Sequence, residues 1–223
     1  MPKFLSMATN NTGRKVVVFD LDDTLYPEFE YRNSGLRAVC NFVDLVYGVS
    51  LAPEAFYDKS DALGDICRQA NLPLEVKNSL LWIYRLHLPE ISLGQEVSSL
   101  ILDLSSKFDL AILTDGRSVT QRLKIRALGL NWIPSYISEE YGADKPDPER
   151  FQAIMADYPD RDYVYIGDNQ QKDFLAPNKL GWLTIGVRGG TQNIHPQLFK
   201  GLDADYLPVF WLDSLDKIPE FLC

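Results

Sequence analysis

With 223 residues, 46% of them hydrophobic and 24% charged, the chain has the composition of a core-forming protein and not of a disordered one. Its length accommodates a core of ordinary domain size plus a smaller second unit. Twenty-two Lys and Arg against 31 Asp and Glu leave a formal charge of −9, so the average surface repels nucleic acid and anionic membrane, and a site for a phosphorylated ligand must be made positive locally by a lysine, backbone amides or a metal.

In chain order, residues 1–13 carry no apolar leader and read as a ragged terminus, and no run approaches the length of a membrane span, so a cytoplasmic protein without membrane or nucleic-acid partners is expected. Cys40, Cys67 and Cys223 are odd in number and lack the spacing of a zinc or redox motif; they read as reduced thiols, Cys40 as core filler.

The first strand is expected over Val16–Leu21, where an apolar run leads straight into Asp20, Asp22 and Asp23. Tyr26-Pro27 then shapes a hinge, and no convincing strand follows before Asp109, a gap far longer than one crossover helix needs. Apolar residues at helical spacing in Tyr31–Tyr47 and Glu75–Leu86, with shorter segments at Pro53–Leu63 and Asp65–Ala70, predict an inserted all-helical cap over residues 27–92. Trp82 belongs to the core of that cap, Tyr31, Arg37, Tyr84 and Arg85 are candidate contacts beneath it, and His87 and His195 read as surface or loop residues.

Gly94–Lys107 predicts the helix that returns the chain to the sheet, whose further strands are expected at Asp109–Thr114, Ser135–Ser138, Tyr163–Gly167 and Leu183–Val187. Runs apolar on both faces, alternating with helices, predict an α/β fold: a Rossmann-like parallel sheet flanked by helices, with the core made of residues 14–26 and 93–223. Ser118 is the expected cap of a helix ending at Gly129, Asp147-Pro148 opens another, a third should run from Gln170 to Leu180, and the tail Phe210–Leu222 shows an apolar helical face.

Open α/β sheets bind ligands past the carboxyl ends of their strands. There the sequence places Asp20 and Asp22 after the first strand, Thr114, Asp115 and Gly116 after the second, Lys145 after the third, and Gly167 and Asp168 after the fourth. Carboxylates crowded at a strand mouth need a cation, and an all-oxygen set suits Mg²⁺. Asp20 then becomes a candidate nucleophile, Asp22 a candidate general acid and base, and Thr114 with the Asp115-Gly116 amides a cradle for phosphate oxygens.

Taken together, DLDDT at Asp20–Thr24, TDG at Thr114–Gly116, Lys145 in ADKPDPERF, and GDNQQKD from Gly167 through Asp168 to Asp173 resemble, in order, the four motifs of the haloacid dehalogenase superfamily of phosphotransferases. The resemblance spans about residues 16–190. It implies that Asp20 forms an aspartyl-phosphate, that Asp22 protonates the leaving oxygen and later activates water, and that Asp20, the Asp22 carbonyl and Asp168 hold Mg²⁺ with Asp173 or Asn169 in support. It also implies that the cap is a mobile lid that selects the substrate. Thr24 and Arg117 are added as candidate phosphate contacts, and Arg188 as a weaker one. Asp22 stands where the dehalogenase and phosphonatase patterns lack an acid, so the expectation is a phosphatase of a small phosphomonoester, a sugar phosphate or nucleotide, working as monomer or homodimer. A sugar phosphomutase and a non-catalytic phosphate-binding scaffold are the alternatives.

Overall fold

In a computed structural model that describes residues 14–189 and 201–222, the chain forms a six-stranded, entirely parallel sheet of order β3-β2-β1-β4-β5-β6. The strands are β1 Val16–Phe19, β2 Asp109–Thr114, β3 Ser135–Ile137, β4 Tyr163–Gly167, β5 Leu183–Val187 and β6 Phe210–Leu212. The helices are α1 Glu28–Tyr47, α2 Ala62–Gln69, α3 Lys77–Leu86, α4 Gln95–Lys107, α5 Ser118–Ala127, α6 Ser138–Tyr141, α7 Glu149–Asp157, α8 Leu175–Lys179 and α9 Pro219–Leu222.

β1 is fully buried and shows why the sheet is covered on both sides. Val17 and Phe19 point into one apolar cluster with Leu100, Ile101 and Leu104 of α4 and Ile125 of α5, whereas Val16 and Val18 point into a second with Phe151 and Ile154 of α7. The period of two along a strand sends alternate side chains to opposite layers. A third cluster belongs to the insertion: Leu36, Val39, Cys40 and Val43 make the buried stripe of α1 and pack on Phe56, Ile66, Cys67 and Leu80.

Four local expectations are corrected. The helix predicted over Gln170–Leu180 shrinks to Leu175–Lys179, because residues 169–174 form a tight turn with the Asp173 N–H donated to the Asn169 carbonyl at 2.8 Å. Ser118 is the first residue of α5 and not its cap; Glu139 reaches over from α6 and accepts the Ser118 N–H at 2.8 Å. The tail is not one helix, since Phe210–Leu212 adds a sixth strand beside β5, although Leu212, Leu215, Ile218 and Leu222 do pack on the core. Trp82 is 50% exposed and lies 5.5 Å from the Arg85 guanidinium and 5.9 Å from that of Arg117, so it sits at the rim between insertion and core and not inside the cap.

Candidate active site

Strand order reverses at β1: the chain runs outward through β2 to β3, then returns to place β4 on the other side. The crevice at this switch point lies beyond the carboxyl ends of β1, β2 and β4. A cavity of about 310 Å³ opens there, lined by Asp20, Asp22, Thr114, Asp115, Gly116 and Lys145 together with Asp168, Asn169, Glu28, Asp144 and Lys172.

Asp20 is anchored by its N–H to the Ile166 carbonyl of β4 at 2.8 Å. Lys145 donates to Asp20 Oδ1 at 2.7 Å, lies 2.7 Å from Asp173 Oδ1, and reaches the Tyr165 hydroxyl at 3.1 Å. Burial alone would depress the lysine, yet Asp173 and Asp20 carry it well above its ordinary value. It therefore stays cationic, which supplies the local positive charge that a net −9 chain needs for phosphate.

Burial pushes Asp20 up to about 7, with Lys145 opposing and Asp173 adding to the rise. Asp168 is pushed to about 9 by burial and by the charges of Asp173, Asp20 and Asp23. Carboxylate oxygens of Asp20, Asp168 and Asp173 lie within 4.8 Å of one another. Three buried acids so close are stable as anions only beside a cation, and their oxygen-only donors fit a hard divalent metal. Asp173 is already engaged: Oδ2 accepts the N–H groups of Asp168 at 3.0 Å and Asn169 at 2.7 Å. It braces the loop that carries Asp168, and Gly167 is tailored to it, because a Cβ there would stand 2.5 Å from Asp173 Oδ2.

Asp22 also lines the cavity and is held by three side chains. Lys124 donates at 2.8 and 2.9 Å, Gln121 at 2.9 Å and the Tyr26 hydroxyl at 2.5 Å. Burial would raise its carboxyl, but Lys124 foremost, then Tyr26 and Gln121, hold it below the usual range. The turn that follows is shaped by Asp23, which adopts the left-handed region at φ 56° and accepts the Glu28 N–H at 2.8 Å.

Thr114 is 1% exposed, and its hydroxyl oxygen accepts from Gln121 at 2.7 Å. Asp115 Oδ1 accepts from the Lys145 N–H at 3.0 Å and from Arg150 at 2.5 Å. Gly116 takes φ +134°, which favours glycine, and its N–H goes to Ser138 Oγ at 2.9 Å, so this amide is engaged within the protein and not presented to a ligand.

Three sequence candidates for phosphate contact are not among the residues that line the cavity. Thr24 is buried with its hydroxyl unpartnered and does not line it, and Arg117, just before α5, pairs with Glu139 of α6 at 3.1 Å on the surface. Arg188 pairs with Asp213 at 2.8 Å beyond β5. His87 is buried and not a surface residue: its ring bonds the Tyr84 carbonyl at 2.6 Å and Ser34 Oγ at 3.0 Å inside the insertion. His195 and Cys223 lie outside the described residues.

Gln121, Lys124 and Arg150 were missed from sequence. Gln121 and Lys124 share a helical stripe with Ile125 and Leu128, the buried face of α5, and that spacing is the signal that could have found them.

A family model described as haloacid dehalogenase-like hydrolase matches residues 17–187. Among curated proteins, a glyceraldehyde 3-phosphate phosphatase of Methanopyrus kandleri is 26% identical over 89% of this chain and 93% of its own. Among solved structures, a 2-haloacid dehalogenase of Pseudomonas syringae pv. Tomato DC3000 is 22% identical with a TM-score of 0.63, covering 94% of this chain and 98% of that one. The magnesium-bound hydrolase YfnB of Bacillus subtilis is 17% identical with a TM-score of 0.63, covering 94% and 98%.

Proposed function

Because the chain belongs to the haloacid dehalogenase-like hydrolase family, we propose that it is a Mg²⁺-dependent phosphatase that hydrolyses a small phosphomonoester through an aspartyl-phosphate on Asp20. The observation that carries this reading is the arrangement at the strand mouth. Asp20 is fixed at 2.7 Å from the buried ammonium of Lys145, and the second carboxylate, Asp22, faces the same cavity. A fold shared with a dehalogenase does not decide the chemistry. An acid at Asp22 supports phosphoester cleavage, since a poor alkoxide leaving group needs a proton and a halide does not.

An Asp20 oxygen attacks phosphorus while the bond to the ester oxygen breaks, and Asp22 gives its proton to that oxygen. Asp22 then takes a proton from the water that attacks the phosphoryl group, releasing inorganic phosphate and free Asp20. Asp22 is ionised in the ligand-free protein; the negative charge of an arriving phosphoryl group raises its affinity for a proton. Lys145 neutralises phosphoryl charge. Thr114, its oxygen occupied by the Gln121 amide, directs its hydroxyl proton towards a phosphate oxygen.

Asp20, the main-chain carbonyl of Asp22 and Asp168 are the residues that would hold Mg²⁺, with Asp173 and Asn169 supporting the loop. When bound, the ion supplies charge that polarises the phosphoryl group. Residues 27–92 act as the lid over a core of 14–26 and 93–223. A triose phosphate is the first substrate to try, as the curated relatives are glyceraldehyde 3-phosphate phosphatases.

Release of inorganic phosphate from p-nitrophenyl phosphate and glyceraldehyde 3-phosphate is the test, with Mg²⁺ and with a chelator, for the native chain and Asp20→Asn. Turnover that requires both the metal and Asp20 is expected. Turnover that survives Asp20→Asn in a folded protein rules the reading out.

A further inference from the structure

The cavity has an outer wall that the chemistry above does not use. Glu28, the first residue of α1, lines it together with Asp144 and Lys172. Its root is tied to the loop between Asp22 and the insertion, because its N–H is held by Asp23 Oδ1 at 2.8 Å. Its carboxylate is acted on through space by Asp22 and Asp23, of like charge, and by Lys124 and Lys172. Both lysines have nearer partners: Lys124 grips Asp22 at 2.8 Å, and Lys172 lies 3.7 Å from Asp115. Outside the phosphate position, two carboxylates therefore face the cavity against one ammonium that is already shared.

That surface is rich in hydrogen-bond acceptors and, once Glu28 has lost its proton above about pH 7, carries negative charge. The groups bound at Asp20, Lys145 and Thr114 take the phosphate, so the rest of a substrate in a cavity of about 310 Å³ lies against this wall. A neutral leaving group bearing hydroxyls can donate to it. A leaving group bearing a carboxylate brings like charge to a poorly solvated place, and such a mismatch discriminates as strongly as a good contact does.

We propose that Glu28 is a specificity-determining residue, accepting a hydrogen bond from a hydroxyl of a neutral, polyol-like leaving group and, with Asp144, excluding phosphomonoesters whose leaving group is carboxylated. This rests on the phosphatase reading and deepens it. Glu28 comes from the inserted segment, so the lid contributes to selection from its first turn.

The test uses three-carbon esters with the phosphate on the same carbon and different groups at the far end. These are glycerol 3-phosphate, glyceraldehyde 3-phosphate and 3-phosphoglycerate, with p-nitrophenyl phosphate as the generic ester. At about pH 8, where Glu28 is ionised, the native protein with Mg²⁺ should favour the two substrates with neutral leaving groups over 3-phosphoglycerate by about tenfold or more in kcat/KM. Glu28→Gln should shrink that ratio to about threefold, chiefly through KM for the acid, and Glu28→Lys should reverse it.

Should a Glu28 variant fail to fold in a thermal melt, Asp144→Asn makes the same comparison from the exposed rim and should also shrink the ratio. Native protein that cleaves p-nitrophenyl phosphate without discriminating among the three, or folded variants with an unchanged ratio, overturns the role of Glu28 alone. Native protein that releases phosphate from none of the four esters overturns the phosphatase reading and this proposal with it.

Discussion

Lys124 Nζ lies 2.8 and 2.9 Å from the two carboxylate oxygens of Asp22 and 4.2 Å from the ring centre of Tyr31 in α1, so one buried ammonium joins the candidate proton donor to the first helix of the insertion. The link continues through α5. Thr120 donates to the Arg85 carbonyl of α3 at 3.3 Å, and Gln121 bridges Asp22, Thr114 Oγ1 and the Asp115 carbonyl. A cation placed symmetrically on a carboxylate fixes its direction as well as its charge.

Replacing Lys124 with Met, of similar length and no charge, leaves Asp22 to Tyr26 and Gln121. The expected consequence falls on leaving groups that need a proton. Hydrolysis of an alkyl phosphate should drop by about a hundredfold, and that of p-nitrophenyl phosphate, whose leaving group departs as the anion, by about tenfold or less. The ratio of the two kcat values is the measurement. Equal losses would mean that Lys124 only supports the fold.

Arg150 is 1% exposed, donates to the Thr114 carbonyl at 2.8 Å and to Asp115 Oδ1 at 2.5 Å, and so pins the turn after β2 from the opposite layer. Removing one partner of a buried ion pair strands the other, at a cost of about 3 kcal/mol here because Asp115 keeps some contact with solvent. For a chain of this size that is roughly 6–12 °C in Tm. Arg150→Met should melt lower by that amount, and Arg150→Lys, which keeps the charge but not the two-pronged geometry, should recover less than half. A melting curve for Arg150→Met within about 2 °C of the native one would show that the turn holds without it.

How much of this was legible in the sequence follows from what each residue reports about itself. Strands such as Val16–Phe19 announce themselves, being apolar on both faces, and acids at their ends stand out because a buried strand has no other reason to lead into them. Asp20, Asp22, Thr114, Asp115, Gly116, Lys145 and Asp168 do line one cavity. Lys124 and Arg150 were hidden because charge reads as solvent exposure, and only the tertiary partner, at 102 and 35 residues' separation, reveals that each is buried. The sixth strand was hidden because Phe210–Leu212 is short and continues into residues spaced like a helix, and β5 alone makes it a strand. Thr24 shows the reverse case: motif position suggested a phosphate contact, yet the side chain is buried and is not among the residues that line the cavity.

Glu28 offers a test in stability as well as in specificity. Its carboxyl is pushed up to about 7, first by burial, then by the charge of Asp22, with Lys124 opposing, Asp23 adding and Lys172 opposing. A carboxyl whose folded pKa exceeds its unfolded value holds its proton more tightly in the native state, so its contribution is fully present below the unfolded value of 4.5 and is lost as pH rises through about 7. Above that the loss is complete and flat. Glu28→Gln keeps the shape and cannot ionise, so its Tm relative to the native chain should climb between pH 4.5 and 7 and then level off. Because the residue is only partly buried, the plateau should correspond to about 1–2 kcal/mol, or roughly 2–8 °C. Thermal melts of both proteins, kept metal-free with a chelator, across pH 4.5 to 9 make the comparison, since every other titrating residue is present in both. A difference in Tm that stays constant with pH would show that Glu28 is solvated throughout and places no buried charge at the cavity wall.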